Sequence, residues 1–127
     1  MRNFIIAISC LAVLIGAWTA FDVYSDKKIN SYSSQLENTI IKAVETEDWE
    51  TASTEFNALS QDWHHYKKAA AFFLDTASIN DADYSIARSQ YYIKAKDISN
   101  SSGELSCLKE QLAFLHQNQS VRWGNIF

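Results

Sequence analysis

Apolar residues recur at alternating steps of three and four along most of the chain, which is the spacing of one face of an α-helix. The first such line consists of Ile29, Tyr32, Leu36, Ile40 and Ala43. The longest line predicts a second helix of about 30 residues, or about 45 Å. Its members are Trp49, Ala52, Phe56, Leu59, Trp63, Tyr66, Ala70, Phe73 and Ala77. Asp48 is the candidate N-cap of this helix, and Glu50 lies in its first turn.

Two further helices follow the same spacing. The third is predicted from about Asp81 to Ile98, with Asn80 as its candidate cap. Its predicted inner stripe comprises Tyr84, Ala87, Tyr91 and Ile98, with Ile86 and Ile93 beside it. The fourth is predicted to begin at the capping box from Ser101 to Glu104. Its seam is Leu105, Leu108, Leu112 and Leu115, and a tail follows from Gln117.

These patterns predict an all-α protein in which about four helices form an antiparallel up-down bundle. The chain has no proline and only three glycines, which favours long helices joined by few turns. A pair of stacked hairpins of the tetratricopeptide type is the alternative, although no second copy stands at the required period. The predicted organisation is an anchor at 1–23, a bundle at 24–119 and an apolar tail at 120–127.

An uncharged apolar run extends from Phe4 to Phe21 and predicts contact with membrane lipid. Its 18 residues span about 27 Å as a helix, close to the hydrocarbon thickness of a bilayer. A cleaved signal peptide is the alternative, but cleavage after Ala20 would place bulky Trp18 where a small residue is needed. With only three residues before the run, we expect the N-terminus in the cytoplasm, a single span in the cell membrane, and an extracytoplasmic bundle. No proline or glycine lies between Tyr24 and Thr46, so the anchor is expected to continue into the bundle as one rod.

The charge balance argues against nucleic-acid binding. The chain carries 11 Lys and Arg against 15 Asp and Glu, a net charge of −4, whereas phosphate backbones need clustered cations. The two cysteines stand in different parts of the chain, so Cys107 is expected to be a lone, partly buried thiol.

Candidate chemistry is sparse, and we expect neither an enzyme nor a cofactor or metal site. His64 and His65 are neighbours and point about 100° apart on a helix, so they cannot share one ion. The acidic residues from Glu45 to Glu50 lack the ligand spacing of a calcium loop. The aromatic row from Trp49 to Phe73 could grip a ligand, but at heptad spacing it is more typical of a core. There is no nucleophile elbow and no glycine-rich phosphate loop.

The predicted tail is unusual because it concentrates apolar residues at the end of the chain, where polar, frayed sequence is the norm. Trp123, Ile126 and Phe127 either dock on the bundle or contact a partner or membrane, and they are the candidate interaction residues.

The segment from Ala43 to Ala52, followed eleven residues later by Trp63, resembles a family of small clostridial and bacillar (Firmicutes) proteins, domain of unknown function 4363. The stretch from Tyr84 to Ile93 is similar to that family's third helix, and Asn125-Ile126-Phe127 resembles its closing residues. The family's histidine after the second helix is replaced here by the stretch from Asp75 to Ile79. The resemblance implies no known activity, and it implies a membrane-protein partner of the YetF type.

The resulting hypothesis is a non-enzymatic, single-span membrane protein whose bundle binds another protein. The alternative is a ligand-sensing ectodomain that acts through a partner. An inter-helix cavity holding Arg88 or another inward charge would mark that alternative.

Overall fold

The computed structural model describes the backbone of residues 1–126 and the side chains of residues 1–115. Helix α1 spans Arg2–Gln35 and runs through a π-helical turn, Leu36–Ile40, into the short helix α2, Ile41–Glu45. Three more helices follow: α3 spans Trp49–Ala70, α4 spans Thr76–Lys94, and α5 spans Ile98–Ile126. We call the continuous stretch from Arg2 to Glu45 the rod.

The rod, α3, α4 and α5 surround one core in an antiparallel, up-down order. The rod packs on α3 and α5, and α4 packs on the same two helices, so the ring of four closes. At one end of the bundle, the near end, Phe21 of the rod stacks on Phe73 just after α3. The α2–α3 and α4–α5 turns lie at the opposite, far end. The predicted all-α bundle fold is therefore confirmed.

The rod buries the line of residues that the sequence predicted. Ile29, Tyr32, Leu36, Ile40 and Ala43 are all buried. At the π-helical turn, the amide of Ile41 donates to the carbonyl of Leu36, so this turn holds one more residue than an α-helical turn. The wider turn shifts the helical register, and beyond it both Ala43 and Val44 face the core.

The second helix is shorter than predicted, because it ends at Ala70 rather than near Ala77. After Ala70 the chain tightens, as the amide of Phe73 donates to the carbonyl of Ala70 at 3.0 Å. Asp75 then adopts an extended conformation, and α4 begins at Thr76. Phe73 still packs against the core from this turn, whereas Ala77 is exposed on α4.

Helix α4 turns the opposite face inward from the one predicted. Tyr84 and Tyr91 are exposed, and the buried stripe is Ile79, Ala82, Ser85, Ile86, Ser89 and Ile93. The small buried side chains let α4 approach α5 closely, while the tyrosine hydroxyls remain in water. Asn80 lies inside the helix, so its prediction as the cap is wrong, and Asp75 takes that position.

The two far-end turns have the same construction. Glu47 and Lys96 each adopt a left-handed conformation, with φ of 59° and 57°. Each follows a helix that closes with the paired backbone bonds of a Schellman motif, and each precedes an aspartate that caps the next helix. Asp48 accepts from the amide of Thr51, which confirms that predicted cap.

The fourth helix starts four residues earlier than predicted, because its cap is Asp97 and not Ser101. Asp97 accepts from the amide of Asn100 at 3.0 Å, so it caps α5, and Ser101 is buried within the helix. The leucine seam of this helix is buried as predicted, at Leu105, Leu108, Leu112 and Leu115.

Candidate functional site

The predicted aromatic row lies in the core, as its heptad spacing favoured. Phe56, Trp63 and Tyr66 are fully buried, and Trp49 and Phe73 pack at the edge. The indole Nε1 of Trp63 donates to Oδ1 of Asp83 at 2.7 Å. The row therefore binds the helices to each other and offers no surface to a ligand.

A polar track crosses the contact between the rod and α3. The hydroxyls of Ser25 and Tyr66 share a buried hydrogen bond of 2.5 Å, and one turn farther the Lys28 ammonium lies 3.0 Å from a carboxylate oxygen of Asp62. Partial burial opposes ionisation of Asp62, but the Tyr32 hydroxyl and Lys28 outweigh it and lower the pKa of that carboxyl. Burial, reinforced by Asp62, raises the pKa of Tyr32 far above its usual value. The track fixes the register of the rod against α3.

The residues weighed for metal or ligand chemistry do not converge. His64 and His65 are exposed on α3, and within residues 1–115 no three His, Cys, Asp or Glu side chains form a group able to hold a metal ion. Arg88 lies at the surface, where its Nε donates to Glu104 at 3.0 Å. The inward charge that would mark a ligand-sensing cavity is therefore not supplied by Arg88. Cys107 is exposed rather than partly buried, because it lies on the outer side of the leucine seam.

The outer face of α4 presents aromatic surface to solvent. Tyr84 is 62% exposed and Tyr91 is 68% exposed, and they lie seven residues apart on one side of the helix. We call these two residues, with Ala87 between them, the tyrosine face. Tyr91 also borders a groove of about 600 Å³ between α3 and α4. The groove is lined by Ser53, Asn57, Ala87, Gln90, Tyr91 and Lys94.

The walls of this groove are held together by polar side chains. The amide nitrogen of Gln90 donates to the amide oxygen of Asn57 at 3.0 Å, which joins α4 to α3 along the groove. The ring of Tyr92 meets that of Tyr91 edge to face, with ring centroids 5.8 Å apart. Sequence reasoning missed this surface because it assigned the tyrosines to the core. The competing stripe through Ile79, Ile86 and Ile93 was the signal that could have found it.

A second exposed aromatic group lies at the near end. Phe72 is 85% exposed in the α3–α4 turn, next to Phe73, which stacks on Phe21 with ring centroids 4.3 Å apart. Trp18 meets Phe73 edge to face at 5.4 Å. One side of the last turn of the apolar run thus packs on the bundle through Trp18 and Phe21, whereas the side chains of residues 4–17 are all exposed.

The candidate interaction residues Trp123, Ile126 and Phe127 lie outside the described side chains. The chain direction of α5, from Ile98 beside the far-end turn to Leu115, leads toward the near end.

The family comparison matches residues 23–126 to the model of a domain of unknown function, DUF4363. The chain belongs to this family. No curated protein and no solved structure matches the chain. The matched range begins just after the apolar run and includes the whole bundle together with most of the predicted tail.

Membership in DUF4363 assigns no activity, so the exposed surfaces of the chain are the guide to its function. Within the described residues, the rod is long and apolar enough to cross a membrane. The tyrosine face and Phe72 of the α3–α4 turn are exposed features that packing within the described residues does not explain.

Proposed function

We propose that this DUF4363 protein is a non-enzymatic, single-span membrane protein whose bundle lies outside the cytoplasm and binds another protein. The observation that carries the proposal is the tyrosine face, displayed on a rigid bundle that continues directly from an apolar helix. The partner is expected to be a membrane protein, because the rod would hold the bundle close to the bilayer. The YetF type implied by the family resemblance is one such partner.

The apolar part of the rod supports the membrane assignment. Residues 4–17 expose branched aliphatic and aromatic side chains along their whole length, with no charged residue among them. Such a surface is unfavourable in water at about 25 cal/mol per Å² and is stable in lipid. Arg2 lies directly before the run, whereas Lys27 and Lys28 follow it only after Asp22 and Asp26, and on this weakened asymmetry we propose that the N-terminus lies in the cytoplasm.

The tyrosine face has the properties of a protein-binding surface. Tyrosine is enriched among the residues that dominate interface energies, because it buries a large ring while keeping a polar tip. The hydroxyl-bearing rings of Tyr84 and Tyr91 stand about 10 Å apart along α4, at the rise expected for seven helical residues. Arg88, between them in sequence, pairs with Glu104, so the rim of the face is polar.

The apolar tail provides a second candidate contact. Trp123, Ile126 and Phe127 come after Leu115 in the sequence, and up to Leu115 helix α5 runs toward the near end, where a partner embedded in the same membrane would be within reach. We propose them as interaction residues that act beside the tyrosine face.

Affinity purification of the tagged, full-length protein from detergent extract tests the proposal. We expect one membrane protein at near-stoichiometric yield, and at least a tenfold loss of that protein when Tyr84→Ala and Tyr91→Ala are combined, since two interface tyrosines commonly contribute more than about 1.4 kcal/mol. The matched control is His64→Ala with His65→Ala, two exposed changes on α3 that should leave recovery unchanged.

Two results would count against it. Repeated recovery of the protein alone would contradict the binding role, and equal recovery by the tyrosine variant and the control would move the interface elsewhere.

A further inference from the structure

The α3–α4 turn exposes a large apolar side chain, and the packing of the described residues does not account for this exposure. Phe72 is 85% exposed, more than Phe4 at 68% or Val13 at 70% in the apolar run. Its neighbours Phe73 and Leu74 both pack against the core. The turn is therefore held rigidly by two apolar side chains while it presents the third outward.

The position of this turn is fixed relative to the apolar run. Phe73 contacts both Phe21 and Trp18, with ring centroids 4.3 Å and 5.4 Å away. Phe72 is therefore level with the last turn of the run, on the side of the bundle that faces the N-terminus.

The length of the apolar run determines how close the bundle must lie to the bilayer. Since Trp18 and Phe21 contact the bundle on one side of the helix, the part of the run that is exposed on every side is residues 4–17, or about 21 Å of helix. A hydrocarbon core is about 30 Å thick, so this part falls about 9 Å short of spanning it. A bilayer that covers all of the apolar run must extend up to the near end of the bundle.

We propose that the α3–α4 turn is a second membrane contact, with Phe72 seated in the interfacial region of the bilayer that the rod crosses. The inference rests on the proposed membrane anchor and adds a lipid-binding site to it. The neighbouring charges are mixed, with Lys27 and Lys68 exposed near Asp22 and Asp75. Insertion is therefore driven by the apolar ring and depends little on anionic lipid.

Site-directed spin labelling of the full-length protein in phosphatidylcholine vesicles tests the proposal. In a background with Cys10→Ser and Cys107→Ser, single labels are introduced through Phe72→Cys, Tyr91→Cys and Leu14→Cys. All three host residues are exposed, so the labels should not disturb packing. We expect the label at position 72 to collide more with oxygen than with a water-soluble nickel complex, and the label at position 91 to show the reverse. Adding phosphatidylglycerol should leave the depth at position 72 unchanged.

The label at position 14 separates the two proposals. If position 14 reports lipid while position 72 behaves like position 91, the second contact is overturned and the anchor stands. If positions 14 and 72 both report water, the anchor fails and the second contact fails with it. A depth at position 72 that appears only with anionic lipid would also overturn the apolar contact proposed here.

Discussion

Trp63 lies where the rod, α3 and α4 meet, and its side chain combines a buried apolar ring with a hydrogen-bonded polar group. The ring is fully buried and touches Tyr32 and Tyr66, with centroids 6.3 Å and 5.5 Å away. The indole N–H reaches Asp83, whose other oxygen lies 3.0 Å from the Lys67 ammonium. A large apolar side chain is thus buried without leaving its one polar group unsatisfied.

Replacing Trp63 should therefore be severe. Trp63→Ala removes a fully buried ring and should lower the free energy of unfolding by about 3–5 kcal/mol, a large part of the roughly 5–15 kcal/mol typical of a domain. His64→Ala, one position along and exposed, should cost well under about 1 kcal/mol. Thermal denaturation of both variants in detergent, followed by circular dichroism, measures the difference. Equal melting temperatures for Trp63→Ala and the parent would contradict the core assignment.

Tyr66 makes stability sensitive to alkaline pH. Burial, partly offset by the hydrogen bond with Ser25, raises the pKa of Tyr66 to about 12. The unfolded chain releases this proton near pH 10 and the folded chain near pH 12, so the folded state holds more protons between them. The contribution of Tyr66 to the free energy of unfolding should be fully present below pH 10. It should be lost as pH rises to 12, by up to about 1.4 kcal/mol per pH unit.

Urea denaturation at stepped pH measures that slope. Tyr66→Phe should reduce the slope between pH 10 and 12 to the part that buried Tyr32 contributes, whereas Tyr84→Phe, at an exposed position, should leave it unchanged. An unchanged slope in the Tyr66 variant would show that its hydroxyl does not titrate with folding.

At the scale of elements, the chain makes its far-end turns without glycine. Glu47 and Lys96 occupy left-handed positions that cost a residue with a Cβ atom roughly 1 kcal/mol or more. The following aspartates, Asp48 and Asp97, recover part of that cost by capping the next helix. The scarcity of glycine in the sequence thus indicates strained turns as well as long helices.

Relieving this strain should stabilise the protein. Glu47→Gly and Lys96→Gly should each raise the free energy of unfolding by about 0.5–1 kcal/mol, because glycine accepts a left-handed conformation freely. Glu45→Gly, inside α2 and two residues away, should lower it by about 0.5–1 kcal/mol through lost helix propensity. Chemical denaturation of the three variants gives the signs. A loss of stability in both far-end variants would mean that the side chains make contacts that outweigh the strain.

The buried faces of the rod within the bundle and of the fourth helix were predicted correctly, because each offers only one apolar line. The leucines from Leu105 to Leu115 allow no other inward face. Helix α4 offers two lines, and the inward one contains Ser85 and Ser89, whose burial depends on close approach to α5 and not on hydrophobicity. Since spacing alone does not say which of these two lines faces inward, it could not show that the tyrosines are exposed. Two helix starts were missed because an aspartate at the N-cap position, Asp75 or Asp97, preceded a more conspicuous candidate, Asn80 or Ser101.

At the scale of the whole molecule, the apolar run and the bundle are not separable units. Phe21 belongs to the run by sequence, yet it is buried against Phe73 and lies over Tyr66. A boundary drawn at residue 23 or 24 on hydrophobicity therefore cuts through the near end of the core.

Two truncations should reveal this overlap. A chain that begins at Tyr24 should be less stable than one that begins at Trp18, by about 3–5 kcal/mol for the lost aromatic packing of Phe21. Phe21→Ala in the longer chain should reproduce most of the loss, and Val23→Ala, at an exposed position, should not. Urea denaturation compares the four proteins. Equal stability of the two truncated chains would show that the near end closes without Phe21.

The rod passes from the apolar run to the far-end turn without glycine or proline between Tyr24 and Glu45, and α3 and α5 brace it along the way. In the proposed arrangement, with the apolar run in lipid, the rod would tilt as one rigid body together with the bundle. From Phe21 to Glu45 the rod measures about 36 Å at helical rise. Transmembrane helices tilt over a range of about 0–40° with bilayer thickness and neighbours, and a change of about 10° would swing the far end by about 6 Å. A partner bound to the tyrosine face would experience such a change in the membrane as a sideways displacement, with no conformational change inside the bundle.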